Sequence, residues 1–255
     1  MAVFKNGIFY PEAGNFIIAA GLTDETQMKA INKLVWDLKV FNIWDKMKAI
    51  YPMVGQAGIS SSFQFNLKDP STFKGIFYGG WTFSSTGATP DGISAYMDTN
   101  LNDNTSLNLN DVHFSVYLRT NSDGTKVDLG VFNNTIAGIN IFTRLSNLQY
   151  TRLHDEDTNT VATTDSRGFK LGIRNTSTTK NVFINNTKTA FTQNSVSKVV
   201  SNIYLGALNN TSVGATFFSD RQNAFASIGD GLTDTDAANF YTAVQRFQTT
   251  LGRQV

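Results

Sequence analysis

The sequence contains no cysteine among its 255 residues. Disulfide bonds, thiolate nucleophiles and cysteine-ligated metal sites are therefore excluded. Charged residues are also scarce, since they make up 16% of the chain against a usual quarter. Lys and Arg total 21 against 20 Asp and Glu, which leaves a net charge of +1. A near-neutral chain without a basic run is not expected to bind nucleic acid.

Long apolar segments are missing as well. The N-terminal residues show no basic stretch followed by an apolar run, so they do not have the pattern of a secretory signal. The longest apolar run, residues 16–22, is interrupted by Gly21 and is too short to cross a bilayer. The sequence therefore predicts no membrane contact and a protein that folds in the cytosol.

Catalytic signatures are weak. Glycoside hydrolysis needs two carboxylates across one bond, but the only glutamates are Glu12, Glu25 and Glu156. The two histidines, His113 and His154, are accompanied by no G-x-S-x-G motif, P-loop or dinucleotide fingerprint. His113 is expected on the outer surface of a sheet, opposite the apolar face of its strand. We therefore predict no catalytic residue and a protein that is not an enzyme.

Metal and cofactor sites are not predicted either. Zinc would need three or four His, Cys or carboxylate ligands, which this composition hardly provides. Asn100, Asn102 and Asn104 alternate as in a calcium loop, but no Gly follows at the sixth position and no Glu at the twelfth. Calcium is the one ion that the pattern leaves open.

The chain divides into three parts by pattern. Residues 1–22 form an apolar, aromatic arm that Gly and Pro interrupt, and we expect it to be extended rather than helical. The arm either covers its own domain or docks on another subunit, and in the second case the anchors would be Phe4, Phe9, Tyr10 and Phe16. Residues 23–55 are predicted to be a helical segment that packs on the remainder of the chain.

Helical periodicity supports that segment. Thr23 is a suitable N-cap, and apolar residues recur with a 3.6-residue period at Ile31, Leu34, Val35, Leu38 and Phe41. A second short helical turn is expected to carry Ile43, Trp44, Met47 and Ile50. A further helix is predicted over residues 233–251, with Thr233 as its cap.

From about residue 60 to residue 228 the apolar period changes to two. Residues 112–118 alternate in this way, and Asn-rich turn clusters separate the short strands. Asn tolerates a positive φ, so it can replace Gly at hairpin tips. The pattern predicts an antiparallel sandwich or barrel over residues 56–255, closed by the helix at 233–251.

Several strings in this region resemble laminin-G-like, concanavalin A-like jelly-roll modules. Ala95-Tyr-Met-Asp-Thr precedes the apolar strand Val112-His-Phe-Ser-Val-Tyr-Leu-Arg, and Phe183-Ile-Asn-Asn-Thr follows as the hairpin of such modules. The end of the chain, from residue 203 onwards, is similar to the end of the family's modules. The resemblance implies a mainly β fold, a concanavalin A-like antiparallel β-sandwich with an N-terminal helical segment and a C-terminal helix.

Other strings resemble the modules of tailed-bacteriophage structural proteins. They are LTDETQMKAINKLVWDLK, IWDKMKAIYPMVG, FNLKDP, FYGGWTFSSTG and GLTDTDAANFYTAVQRFQTTLGRQV. The resemblance implies a virion protein displayed as a capsid decoration, head fibre or tail component, assembled in the host cytoplasm. Its partners would be other virion proteins, to which it attaches through the arm, and it could form a homo-oligomer.

The alternative function is a carbohydrate-binding adhesin that recognises host surface glycans. It is suggested by the fold resemblance and by three aromatic candidates, Trp81, Tyr96 and Tyr150. Aromatic rings combined with Asn and Asp side chains are suited to sugar binding, but Trp81 is equally compatible with an ordinary core position. A glycan-degrading enzyme is the third and least favoured function, because of the carboxylate inventory.

Overall fold

The computed structural model describes residues 3–4, 7–133, 137–156 and 159–255, with only the backbone of residues 3, 4, 7 and 8. Within these residues the strands are β1 (Val3–Phe4), β2 (Gly7–Ile8), β3 (Met47–Tyr51), β4 (Ile76–Tyr78), β5 (Trp81–Ser84), β6 (Gly87–Pro90), β7 (Tyr96–Asn102), β8 (Val112–Leu118), β9 (Leu129–Phe132), β10 (Gly138–Leu145), β11 (Leu148–Leu153), β12 (Thr160–Ala162), β13 (Gly168–Arg174), β14 (Thr179–Ile184), β15 (Thr187–Thr192), β16 (Asn202–Leu205), β17 (Leu208–Asn210), β18 (Gly214–Thr216) and β19 (Asn223–Gly229). The helices are α1 (Pro11–Ala20), α2 (Glu25–Val40), α3 (Ser60–Phe63), α4 (Asp103–Ser106) and α5 (Asp234–Thr250), with a 3₁₀ turn at Trp44–Lys46.

The described strands form two large sheets. The nine-stranded sheet has the order β12-β11-β10-β9-β16-β7-β4, with β17 paired to β9 and β18 paired to β17. The eight-stranded sheet has the order β15-β14-β13-β8-β19-β6-β5, with β3 beside β19. Neighbouring strands are antiparallel except β17 and β9. The predicted mainly β sandwich is therefore confirmed.

Two apolar cores divide the molecule into three layers. The first core lies between the sheets, where Phe114, Val116 and Leu118 of β8 meet Met97 and Leu101 of β7. The second core lies between the eight-stranded sheet and the helices α1, α2 and α5. The outer face of the nine-stranded sheet carries no helical layer among the described residues.

The two long helices are placed as predicted. α5 begins with a reciprocal capping box, in which the Thr233 side chain accepts from the Asp236 backbone N–H and the Asp236 side chain accepts from that of Thr233. α2 is capped by Asp24, one residue later than expected, because the Asp24 carboxylate accepts from the Gln27 N–H at 2.7 Å. The predicted apolar face of α2 is buried in the second core.

The prediction of an extended arm is wrong for residues 11–20, which form helix α1. Pro11 suits the first helical position, since its missing N–H would have no partner there. Gly21 ends the helix with a left-handed φ of 62°. Phe16 is 1% exposed in the second core, so it cannot serve as a docking anchor, while Phe9 and Tyr10 pack partly buried against the same core. The side chain of the fourth predicted anchor, Phe4, lies outside the described residues.

The second predicted helical turn is also partly wrong. Only residues 44–46 are helical, and residues 47–51 form strand β3, which pairs with β19. Ile50 faces the helices, whereas Ala49 and Tyr51 face the other sheet. Both sides of this short segment are apolar, so its composition alone did not distinguish a strand between two cores from a helical turn.

His113 lies opposite Phe114 on β8, as predicted, but its expected exposure is wrong because α5 covers that face. Its ring is 5.9 Å from the Phe240 ring, and its Nδ1 lies 2.5 Å from the Asp230 carbonyl oxygen. Burial lowers the pKa of His113 to about 4. The imidazole is therefore a neutral structural group at physiological pH.

Candidate functional site

A row of three stacked tyrosines lies on the outer face of the nine-stranded sheet. Tyr96 of β7 stands between Tyr78 of β4 and Tyr204 of β16, with ring centroids 4.8 Å and 4.5 Å away. The interplanar angles are 16° and 21°, so the rings are nearly parallel. We call this group the tyrosine row.

Strand alternation explains why the row faces outward. In β7, Met97 and Leu101 enter the core between the sheets, which turns Tyr96 and Asp98 to the other face. Tyr78 pairs directly with Tyr96, and Tyr204 pairs with Asp98. Adjacent strands thus bring together side chains from three distant parts of the sequence.

A carboxylate and an amide accompany the tyrosine row. The Asn202 amide donates to both Asp98 carboxylate oxygens, at 3.1 Å and 3.3 Å, and the Asn100 backbone N–H donates to Oδ1 at 2.8 Å. These contacts hold the carboxylate next to the rings. Asp98 and Asn202 both remain partly exposed.

The phenols of Tyr96 and Tyr204 keep their protons, and so remain hydrogen-bond donors, over the whole physiological range. Burial, followed by the charge of Asp98 and the neighbouring phenols, raises the pKa of Tyr204 to about 12. Burial and the same kinds of neighbour also raise the pKa of Tyr96. Within the part of the chain that the structure describes, the three hydroxyls have no hydrogen-bond partner, so they are available to a ligand.

Tyr96 is the one sequence-predicted glycan candidate that belongs to this row. Trp81, in β5, packs half-buried against Phe77 and Phe83 at the edge of the core between the sheets. Its indole N–H donates to the carbonyl oxygens of Tyr78 at 3.0 Å and Tyr96 at 3.3 Å. Trp81 therefore supports the backbone beneath the row and has its donor engaged.

Tyr150 shares the outer face but lies far from Tyr96. Its strand, β11, is four places from β7 in the sheet, which corresponds to about 19 Å at the usual strand spacing. There its ring meets Phe142 at 6.2 Å, and Phe142 meets Phe217 at 5.9 Å. The structure thus places Tyr150 in a second aromatic group and does not join it to the tyrosine row.

Sequence reasoning missed Tyr78, Tyr204, Asn202 and Asp98 as members of the site. Nothing in the sequence showed that positions 78, 96 and 204 lie on adjacent strands.

The residues suggested for calcium have local structural roles. The Asn102 side-chain oxygen caps α4 by accepting from the backbone N–H groups of Asn104 and Thr105, and the Asn100 amide donates to the Lys74 carbonyl. Among the described residues, no group of three or more His, Asp or Glu side chains could hold a metal ion.

In the same residues, none of the helices has the length and apolar character needed to cross a membrane.

Comparisons of the sequence with protein-family models and with curated proteins gave no match. Comparison of the fold with solved structures found similar β-sandwiches. A Trypanosoma rangeli sialidase in complex with sialic acid aligns with a TM-score of 0.57 and 7% identity, covering 84% of this chain and 38% of that one. The binding domain of botulinum neurotoxin serotype D aligns with a TM-score of 0.52 and 11% identity, covering 79% of this chain and 52% of that one.

A third structure is domain 4 of a GH43 extracellular arabinanase from Geobacillus stearothermophilus, in complex with arabinotriose. It gives a TM-score of 0.48 and 14% identity, covering 76% of this chain and 98% of that domain. This chain spans about two fifths of the sialidase and about half of the toxin chain. At these identities the likeness shows the fold alone, and the chain has a jelly-roll type β-sandwich.

Proposed function

We propose that this protein is a non-catalytic carbohydrate-binding β-sandwich that takes a glycan on the tyrosine row. The observation that carries the proposal is the partly exposed stack of Tyr78, Tyr96 and Tyr204 beside Asp98 and Asn202. A sugar presents apolar C–H faces and polar hydroxyls at once, and tyrosine offers a rigid ring together with a donor and acceptor. Such a surface suits a ligand with both kinds of group.

The stacking geometry assigns different roles to the three rings. Tyr96 has both faces covered by its neighbours, so it offers only its ring edge and hydroxyl. Tyr78 lies on the terminal strand β4 and is 44% exposed, so its outer ring face is open to a sugar ring. Tyr204 stands at the other end, at the position paired with Asp98, and adds a third hydroxyl.

Two further findings support binding without catalysis. Most glycoside hydrolases use two carboxylates across the scissile bond, and Asp98 is the one carboxylate paired in register with the row in the described strands. Asp128, another carboxylate of the sequence, is fully buried and paired with Arg221 at 2.8 Å. The fold likeness to a sialidase in complex with sialic acid agrees with a glycan ligand.

A glycan-array screen of the full chain, extended to capsular polysaccharides, tests the proposal. We expect saturable binding that falls at least about tenfold in Tyr78→Ala. The matched control is Trp36→Ala, because Trp36 is 39% exposed on α2 at the opposite side of the molecule. The proposal fails if the wild-type chain binds no glycan, or if Tyr78→Ala binds as well as Trp36→Ala.

For the biological setting we propose the surface of a tailed-bacteriophage virion, as capsid decoration, head fibre or tail component. The support is the resemblance of the sequence strings at residues 22–39, 43–55 and 231–255. Attachment would then use the residues before α1, because Phe16 belongs to the core. A variant that lacks residues 2–8 should fail to be incorporated when it is added to particles that were assembled without this protein. Its melting temperature should equal that of the full chain. Normal incorporation of the deletion variant would refute this mode of attachment.

A further inference from the structure

Asp98 sits among the rings of the tyrosine row with only neutral partners. Across the sheet it pairs with Ile76 of β4 on one side and Tyr204 of β16 on the other. Its oxygens accept from the Asn202 amide and the Asn100 backbone N–H. Within the described residues it forms no ion pair, so its negative charge is fixed in position but not neutralised.

Two basic side chains of this sheet region, Lys74 and Arg152, lie over aromatic rings and form no ion pair with Asp98 in the described residues. Lys74 precedes β4, and its ammonium lies over the Phe65 ring, 4.7 Å from the centroid. Arg152 lies over the Phe132 ring at 4.7 Å. Register pairs connect Asp98 to Arg152 through Tyr204, Gly130 and Asn140, which is four strand spacings or about 19 Å. That distance exceeds the Debye length of about 8 Å at physiological salt, so Arg152 does not offset the carboxylate.

The neighbouring phenols respond to this uncompensated charge. Burial raises the pKa of Tyr96 and of Tyr204, and the Asp98 carboxylate raises both further. A ligand placed on the row would experience the same negative field. For a sugar hydroxyl the carboxylate is a strong acceptor, whereas a ligand carboxylate or sulfate would be repelled.

We infer that the tyrosine row selects uncharged oligosaccharides and rejects glycans that carry carboxylate or sulfate groups at the contacted sugar. The inference rests on the proposed function and names the ligand class of the same surface. Selectivity of this kind comes from a repulsive element placed against the wrong ligand.

The test uses matched pairs of immobilised oligosaccharides, identical except for a terminal sialic acid or a sulfate ester. The full chain is measured against each pair at about 20 mM and about 300 mM salt. We expect the acidic member to bind at least about tenfold more weakly at low salt, with a smaller gap at high salt because exposed charges are then screened. Equal or tighter binding of the acidic members overturns this inference alone.

Two variants identify the responsible group. Asp98→Asn removes the charge and keeps the shape, so it should reduce the neutral-to-acidic ratio by at least about threefold. Asp45→Asn is the control, since the Asp45 side chain is 98% exposed beside the helical layer, and it should leave the ratio unchanged. An unchanged ratio in Asp98→Asn contradicts the inference. If the wild-type chain binds no glycan at all, the proposed function is overturned together with the inference.

Discussion

Two buried cations share one carboxylate at the edge of the core between the sheets. The Arg174 guanidinium and the Lys180 ammonium lie 2.8 Å and 3.0 Å from Asp155 Oδ2, and all three side chains are 0% exposed. Asp155→Ala would remove this shared carboxylate from two positive charges in the interior. Removing one partner of a buried ion pair costs about 3–5 kcal/mol of folding free energy, because the remaining charge stays desolvated.

Hydrogen bonds to the backbone moderate this cost. Arg174 also donates to the carbonyl oxygens of Leu153 at 2.7 Å and Gln193 at 2.8 Å, and Lys180 donates to that of Thr151 at 2.9 Å. These bonds survive the substitution, whereas the loss of one carboxylate that both cations contact increases the penalty. We therefore expect a loss of about 4 kcal/mol, a large part of the 5–15 kcal/mol that usually stabilises a domain.

Urea denaturation followed by circular dichroism measures the change in the free energy of unfolding. At about 2–4 °C per kcal/mol for a chain of this size, the melting temperature should fall by about 10 °C. Glu25→Gln is the control, because Glu25 pairs with Lys29 on the surface and should cost less than about 1 kcal/mol. A loss below about 1 kcal/mol in Asp155→Ala would show that the carboxylate does not hold the two cations in place.

Four further predictions concern the helices and a buried histidine. Leu34→Asp should destabilise the protein by several kcal/mol, since Leu34 is 1% exposed in the second core and an unpaired charge would be buried; an unchanged melting temperature would contradict the docking of α2. Phe16→Ala should cost about 3–5 kcal/mol in urea denaturation, and a negligible loss would restore Phe16 as a free anchor. Thr233→Ala removes half of the capping box and should cost about 1 kcal/mol, measured as a shift of the denaturation midpoint. His113 has a pKa of about 4 when folded against 6.5 when unfolded, so the unfolded chain binds more protons in this window and stability falls as pH falls. Between pH 7 and pH 5 the loss should be about 2 kcal/mol, and it should be absent in His113→Gln; equal slopes for the two proteins would refute the assignment.

Local patterns were sufficient for the elements whose periodicity is uninterrupted. The apolar spacing of α2 and α5, and the period-two alternation of β8, depend on neighbours within one element, so they are visible in the sequence. The pattern was insufficient at α1, where Pro11 and Gly14 suggested a broken arm although Pro11 is favourable at a helix start. It was also insufficient at β3, which is apolar on both faces because it lies between two cores.

The sequence by itself determined a mainly β chain with two amphipathic helices, few catalytic signatures and a nearly neutral surface. It also named Tyr96 as an aromatic candidate for glycan binding. Only the tertiary structure decided that α5 covers His113, that Phe16 is buried and that Tyr78 and Tyr204 stack on Tyr96. The physical reason is that periodicity depends on residues two to four positions apart, whereas the tyrosine row depends on the order and register of three strands far apart in the chain.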